Sequence, residues 1–573
     1  MGSIRRAVFL TMIFGNLLFL PLSCKTTNRA GNVPAPEGRP PAAASGDEAQ
    51  PERSSGITDE IRRLTEEGTL ASMQGAIELI RSRNLGSTDF GRVMNAANTI
   101  LIRQVYGLTD IDLPVPDLPQ THLYARILRG AERGTYTAPP PNSSDYLECV
   151  LPFLSLINET RQEALLAALP DLQRAQGIRP DSPLAPYFAA LAHERIGQLA
   201  EAREEFAKAL SVSEECYPAA LGLARLMRLS GNEKEALDML AELSERYPGN
   251  MPIMRQFATA CYQSGDWARA EPIIAEVLKK HPRDGEFLLM RSHILVETGQ
   301  YMRSQGSLDT YASFNPFTRL YLFLRARIQA EALQNREQAL NFLQTLLRSY
   351  PDDEEATLYT ARLLLESALA GEQAEGRQLL RRMLENDSPP LSVLALALQD
   401  AISRESWQEA QGFQRRLLAE RRSGKDLYDA YLVERGLGNS SRALSYAREL
   451  YERDMRNDNG IATYISALID LNRKEEAARL IEQRLSALSG GQEKSRYLYL
   501  RSRIGANEEV VMTDLGSALF ENPRNLNALI AMFEIYHNRK DSRRAVYYLK
   551  QALAIAPGNP RLMRFEREYA GLF

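Results

Sequence analysis

Apolar residues recur at three- and four-residue spacings from about residue 57 onward, and this spacing places them on one face of an α-helix. Ile61 and Leu64 begin the pattern, and similar apolar sets continue it through residues 57–182. Prolines interrupt it at 114–119 and at 139–141, which predicts two loops, since proline disrupts a helix interior. The pattern indicates a helical chain.

A longer period runs through residues 183–559. Three residue types recur every 34 residues: Gly197, Gly231, Gly265 and Gly299; Ala202, Ala236 and Ala270; Pro248, Pro282 and Pro316. A fixed period of this length is typical of a solenoid, in which each unit packs only on its neighbours.

The spacing has a physical explanation in a unit of two helices, named helix A and helix B in chain order. Ala258 in helix A and Ala270 in helix B suit a close crossing, where a larger side chain would push the helices apart. The pairs Gly231-Asn232 and Gly265-Asp266 predict a left-handed cap that ends helix A and an N-cap that starts helix B. The proline then stops helix B.

This phase resembles the tetratricopeptide repeat, whose 34-residue unit is a helix-turn-helix. The resemblance implies an all-α, right-handed superhelical solenoid with about eleven repeats over 183–559. They are predicted to start near residues 183, 217, 251, 285, 320, 357, 391, 424, 458, 492 and 526. Residues 560–573, with Leu562, Phe565 and Tyr569 on one helical face, are predicted to cap the last repeat. Residues 57–182 lack the pattern and are predicted to be an irregular helical N-terminal cap; a separate small helical domain is the alternative.

The first 23 residues have the composition of a secretory signal. Arg5 and Arg6 precede a mainly apolar stretch, residues 7–20, that is short for a membrane-spanning helix. The sequence Leu20-Pro21-Leu22-Ser23-Cys24 resembles the lipobox of bacterial lipoproteins, although Pro21 and Leu22 depart from its usual residues. The resemblance implies cleavage after Ser23 and lipid attachment at Cys24. An uncleaved anchor or a different cleavage site is the alternative.

Residues 24–56 combine the lipidated cysteine with a segment rich in proline, alanine and glycine. It has almost no large apolar residue, so it cannot bury enough surface to offset its chain entropy. The segment is predicted to be a disordered tether that separates the folded part from a membrane. Lys25 stands where some bacteria place the aspartate that retains lipoproteins in the inner membrane, which favours the outer membrane, facing the periplasm.

Composition excludes several classes of function. The formal net charge is −4, and removal of residues 1–23 lowers it to −6 because Arg5 and Arg6 are lost. An acidic chain is unlike a general nucleic-acid binder, which needs a basic excess. The four cysteines and five histidines form no metal-binding spacing, so neither a metal nor a cofactor is expected. Cys149, Cys216 and Cys261 are expected to be small buried helix residues.

Catalytic motifs are also missing from the sequence. His193-Glu194-Arg195 lacks the second histidine of a zinc protease, and Ser423-Gly424-Lys425-Asp426 lacks the other residues of a phosphate-binding loop. No nucleophile elbow and no dinucleotide-binding glycine motif occurs. An enzyme is therefore not expected.

The family resemblance implies a ligand groove on the concave face, lined by helix A. Carrying over its unit positions gives a basic and aromatic set: Tyr187, Arg225, Arg228, Arg255, Tyr262, Tyr321, Arg325, Arg362, Tyr428 and Arg435, with Glu194, His293, Arg496 and Arg503 as further positions. Arginine forks bind carboxylates and tyrosine supplies rigid contact area, so the groove suits an extended or acidic segment of a partner protein. The alternative is that these arginines are surface residues paired with acids such as Glu286, Glu331 and Glu534.

These observations predict a membrane-anchored scaffold or adaptor that gathers proteins in the bacterial cell envelope and assists assembly of an envelope complex. The rival hypothesis is a solute- or glycan-binding lipoprotein that partners a transporter or cell-wall enzyme. It requires a closed, aromatic-lined pocket, expected within residues 57–182, where the repeat pattern fails.

Overall fold

The structure is a computed structural model that describes residues 51–108, 118–119 and 122–569. The predicted signal segment, Cys24 and the tether up to residue 50 lie outside the described residues. Helices form the described part, which divides into two compact units, residues 1–223 and 224–573. Within the described residues, no helix is both long enough and apolar enough to cross a membrane.

The first unit contains eight helices and the start of a ninth among its described residues. They are α1 (Pro51–Glu67), α2 (Leu70–Ser82), α3 (Asp89–Gln104), α4 (Leu123–Glu132), α5 (Tyr146–Val150), α6 (Gln162–Ile178), α7 (Leu184–Arg195), α8 (Leu199–Val212) and α9 (Tyr217–Leu229). Short 3-10 helices occupy Leu85–Ser87 and Leu151–Leu156. Helix α1 begins inside the range predicted as tether, and Pro139–Pro141 lie in the predicted loop between α4 and α5.

Buried tyrosines connect the N-terminal helices to Tyr217, the first residue of the second predicted repeat, and to Ser182, just before the first. The Tyr217 hydroxyl donates to the Tyr106 carbonyl oxygen at 2.6 Å, and the Tyr106 hydroxyl donates to the Gly68 carbonyl oxygen at 3.0 Å. Tyr146 donates to Ser182 Oγ at 2.7 Å. These bonds explain why the compact unit continues to Leu223 rather than ending at the predicted boundary of residue 182.

The second unit contains the other helices. They are α10 (Glu233–Arg246), α11 (Met251–Ser264), α12 (Trp267–Lys280), α13 (Gly285–Glu297), α14 (Tyr301–Ala312), α15 (Arg319–Glu331), α16 (Arg336–Ser349), α17 (Glu354–Leu365), α18 (Ala370–Leu384), α19 (Leu391–Ser403), α20 (Trp407–Glu420), α21 (Gly424–Gly436), α22 (Ser440–Arg453), α23 (Asp458–Asp470), α24 (Lys474–Ala487), α25 (Gly491–Ser502), α26 (Glu508–Glu521), α27 (Leu526–Asn538), α28 (Ser542–Ile555) and α29 (Pro560–Glu568). Each helix A begins within three residues of a predicted repeat start.

The turn between helices A and B needs one residue in the left-handed region. Glycine fills it at Gly231 (φ 83°), Gly265 (φ 79°), Gly299 (φ 73°) and Gly438 (φ 77°). The predicted N-cap is confirmed at Asp266, which accepts from the Arg269 amide at 3.2 Å. Asn232 also occupies the N-cap position, but its side chain makes no cap hydrogen bond and donates instead to Glu235 at 3.5 Å.

Packing inside the repeats follows the predicted small residues. Ala258 and Ala270 are fully buried, as are their equivalents Ala224 and Ala236. Cys149, Cys216 and Cys261 are buried free thiols. Cys149 and Cys261 lie in helices as expected, whereas Cys216 lies in the turn just before α9. At the C-terminal end, Leu562 is buried and the Phe565 ring packs edge-on against Phe533 at 4.8 Å.

Candidate partner-binding groove

A cavity of about 860 Å³ opens on helices α21, α23 and α25 of three consecutive repeats, with a contribution from the start of α27. We call it the 424–527 groove. Its walls comprise Gly424, Lys425, Tyr428, Tyr431, Leu432, Arg435, Leu450, Asn457, Asn459, Gly460, Ala462, Thr463, Ser466, Arg496, Tyr499, Leu500, Arg503 and Asn527.

Helical periodicity explains which side chains face the groove. Lys425, Tyr428 and Arg435 recur on one face of α21 at spacings of three and seven residues. Helices α23 and α25 present the corresponding faces, because each is the helix A of its repeat. Helix α21 begins in a capping box, in which Ser423 Oγ accepts from the Asp426 amide at 3.3 Å and Asp426 accepts from the Ser423 amide at 2.8 Å.

The charged side chains that line the groove are basic. They are Lys425, Arg435, Arg496 and Arg503. Asp470 lies behind them: Arg435 forms an ion pair with it at 2.7 Å, and Arg503 donates to it at 2.6 Å. Arg496 donates to the neutral Asn459 Oδ1 at 2.7 Å. One carboxylate therefore orients two arginines, and the wall keeps an excess of positive charge.

Aromatic rings add contact area to this basic wall. Tyr428 is 40% exposed, and its ring centroid lies 6.2 Å from that of the buried Tyr431. Tyr499 contributes a third ring from α25. Together with the amides of Asn457, Asn459 and Asn527, the groove offers donors for carboxylates and peptide carbonyls beside flat apolar surfaces.

One acidic group near the groove has an altered protonation equilibrium. Burial raises the pKa of Asp429, one turn after Lys425 in α21, to about 6, although the nearby Lys425 charge opposes the shift. This carboxylate therefore gains or loses its charge close to neutral pH, which changes the net charge of α21 beside the groove.

The other predicted groove residues are distributed differently. Tyr187 is buried in the first unit, and its ring lies 5.6 Å from that of Phe188. Tyr262 is buried, and its hydroxyl forms a 2.7 Å hydrogen bond with His293 Nδ1. Tyr321 is stacked on Phe317 at 4.7 Å. Only in α21 and α25 do predicted positions meet in this cavity: Tyr428, Arg435, Arg496 and Arg503.

Several predicted arginines are engaged within the chain, as in the alternative interpretation. Arg255 pairs with Asp284 and lies 3.7 Å from Glu286. Arg325 pairs with Asp309, and Arg362 lies 4.8 Å above the Tyr359 ring and 3.5 Å from Glu366. Arg225 and Arg228 are half-buried on α9, and burial lowers the pKa of Arg228.

Sequence reasoning missed Lys425, Tyr499 and the groove asparagines. Lys425 belongs to Ser423-Gly424-Lys425-Asp426, which lacks the other residues of a phosphate-binding loop and forms a helix N-terminus in the structure. Sequence reasoning also missed a hydrogen-bond network that joins helices α13, α15 and α17. In this network Glu331 accepts from Arg327 at 3.0 Å and from Tyr359 at 2.9 Å. The 34-residue interval between Glu297 and Glu331, which both contact Arg327, was the available signal.

Family models for the tetratricopeptide repeat match residues 196–261 and 321–353. Two segments of the chain thus match this repeat, and the helix pairs of the described residues form a repeat solenoid of that type. Repeats of this type are typically non-catalytic scaffolds and suggest protein or peptide partners. Within the part of the chain that the structure describes, no group of three or more acidic, histidine or cysteine side chains could hold a metal ion.

Similarity to individual proteins is distant. An uncharacterized lipoprotein of Treponema pallidum is 25% identical over 128 residues, which is 22% of this chain and 65% of that protein. The chain thus spans slightly less than two thirds of this relative's length. Among solved structures, Pseudomonas aeruginosa PilF has a TM-score of 0.33 and 20% identity, with 40% of this chain and 99% of that chain covered. A tetratricopeptide protein of Parabacteroides merdae has a TM-score of 0.36 and 15% identity, with 43% and 97% covered.

Proposed function

We propose that this chain is a lipid-anchored, non-catalytic scaffold of the bacterial cell envelope that binds acidic, extended segments of partner proteins in the 424–527 groove. The observation that carries the proposal is the convergence of Lys425, Arg435, Arg496 and Arg503 on one tyrosine-lined cavity. Arginine and lysine attract carboxylates, and a groove across three repeats fits a segment longer than a single side chain.

The anchor part of the proposal is supported by the lipobox-like sequence at Cys24 and by the similarity to a lipoprotein. Cells grown with an alkyne-labelled fatty acid test it. We expect the wild-type chain to incorporate the label and remain in the membrane fraction, and Cys24→Ala to lose both properties. Equal labelling of the two would reject lipid attachment at Cys24.

The groove is tested by selecting displayed peptides on the full-length protein. We expect enrichment of acidic peptides, and loss of that enrichment in Arg435→Glu/Arg503→Glu. The control is Arg442→Glu, an exposed position on α22 that does not line the groove. Enrichment that ignores peptide charge, or that survives the double reversal, would contradict the proposal. Saturable binding of a small sugar or solute instead would favour the rival function.

A further inference from the structure

Helix α26 presents an unusual outward face. Its inner residues Leu515 and Ala518 are fully buried, whereas Val510 is 43% and Phe520 is 87% exposed. Phe520 is the most exposed large hydrophobic side chain of the described residues. An exposed phenylalanine ring gains free energy when a second surface covers it, because burial removes its apolar area from water.

A cavity lies on the same face, directly beside this ring. It measures about 520 Å³, and its lining residues are Lys494, Leu498, Thr513, Gly516, Ser517, Phe520 and Glu521. A Cβ atom added at Gly516 would have no neighbour within 4 Å, so the space above the helix is open at that point. The exposed Phe520 ring thus borders a recess whose lining on α26 includes the small residues Thr513, Gly516 and Ser517.

Two copies of a surface that carries both a protrusion and a recess can pair, with the protrusion of each copy in the recess of the other. A two-fold interface repeats each contact, so that residue i of one copy meets residue j of the other and the reverse. If two α26 helices cross antiparallel about an axis between Gly516 and Ser517, Phe520 of each copy enters the recess near Thr513 of the other. In this arrangement the Phe520 ring of each chain fills the recess on α26 of the other chain.

Charge supports the same pairing. The antiparallel arrangement brings Glu509, near the start of α26, opposite Arg524, just after its end. Both side chains are exposed, and neither forms an ion pair with the described residues. The two-fold axis produces this opposite-charge contact twice. We therefore propose that a second copy of this chain docks on the outward face of α26 to form an antiparallel dimer.

The dimer face is separate from the 424–527 groove. The two cavities share no lining residue, although α25 contributes Lys494 and Leu498 to one and Arg496, Tyr499 and Leu500 to the other. The proposal therefore stands independently of the proposed ligand, and a dimer would offer two grooves.

Sedimentation equilibrium of the full-length protein in density-matched detergent measures the self-association. We expect a monomer–dimer equilibrium, weakened at least about 30-fold by Phe520→Ser because this side chain acts twice in the interface. Glu509→Arg and Arg524→Glu each weaken it about 10-fold or more, since each places like charges in contact twice. The double variant restores the wild-type constant to within about three-fold. A wild-type chain that stays monomeric up to about 100 μM, or a double variant as weak as the single ones, would overturn the proposal.

Disulfide trapping tests the axis itself. Ser517→Cys places a thiol next to the axis, so mild oxidation is expected to link two chains through it. Ser445→Cys is the matched control, because Ser445 is an exposed serine on α22, another helix B. Trapping of Ser517→Cys but not of Ser445→Cys supports the axis, and equal trapping of both contradicts it.

Discussion

Individual charged residues determine what the groove can bind. Asp470 fixes Arg435 and Arg503 from two different repeats, at 2.7 and 2.6 Å, so these guanidinium groups are positioned before any ligand arrives. Preorganised donors lose less conformational entropy on binding than free side chains do. Asp429 differs, because burial penalises its charge and raises its pKa.

The stability of the protein should therefore respond to the Asp429 charge. With a pKa of about 6 in the folded chain and an ordinary value of 3.8, the folded state holds a proton between these values that the unfolded state has released. Stability consequently falls as the pH rises through this window. We expect Asp429→Asn to raise the thermal unfolding midpoint at pH 7.5 and to raise it less at pH 4.5. Asp238→Asn, at an exposed site on α10, should show no such pH-dependent gain; an Asp429→Asn gain that is equal at both pH values would contradict the assignment.

Close packing at one glycine gives a second residue-scale prediction. A Cβ atom at Gly436 would overlap the indole ring of Trp407, whereas one at Gly412 would meet nothing within 4 Å. We expect Gly436→Ala to lower the free energy of unfolding by about 1–3 kcal/mol through overpacking. Gly412→Ala, inside helix α20, should be neutral or stabilising by up to about 1 kcal/mol. Denaturant titration followed by circular dichroism compares them, and equal effects would contradict the packing.

Among the elements, α21 contributes most to the groove, and its N-terminal cap keeps it in place. Ser423 and Asp426 satisfy each other's amide groups, and Arg421 donates to Asp426 at 2.8 Å. We expect Ser423→Ala to cost about 1 kcal/mol and to increase hydrogen–deuterium exchange in residues 424–436. Ser445→Ala, on the surface of α22, is the control. Unchanged exchange in 424–436 would show that the cap does not determine the order of this helix.

The same elements explain how far the sequence could predict the fold. Repeats with glycine at the A–B turn, such as those at Gly231 and Gly265, follow directly from the 34-residue period. In other repeats Glu405 (φ 56°), Asn472 (φ 58°) and Lys540 (φ 58°) take the left-handed position. A non-glycine residue is strained at positive φ, but here the packed helices on both sides fix the conformation of the turn. A local sequence pattern does not reveal this effect of packing.

At the scale of the whole molecule, the sequence predicts that helix A carries the basic and aromatic residues. It does not predict in which repeats these residues line an open cavity. Arg255 and Arg325 satisfy the same positional rule as Arg435, yet they pair with Asp284 and Asp309. Those acids lie 29 and 16 residues away along the chain, so only the packed repeats reveal the pairing. Such contacts decide whether an arginine is available to a ligand. The repeat pattern in the sequence does not specify them.

The central claim is that protein partners occupy the 424–527 groove in the cell. It is tested most directly by placing a photo-crosslinking amino acid at Tyr428, which is 40% exposed and lines the groove, in intact cells. We predict crosslinks to defined envelope proteins that disappear when Arg435→Glu and Arg503→Glu are added and persist with Arg442→Glu. Crosslinks that are unchanged by the double reversal, or no protein crosslinks at all from Tyr428, would contradict the account.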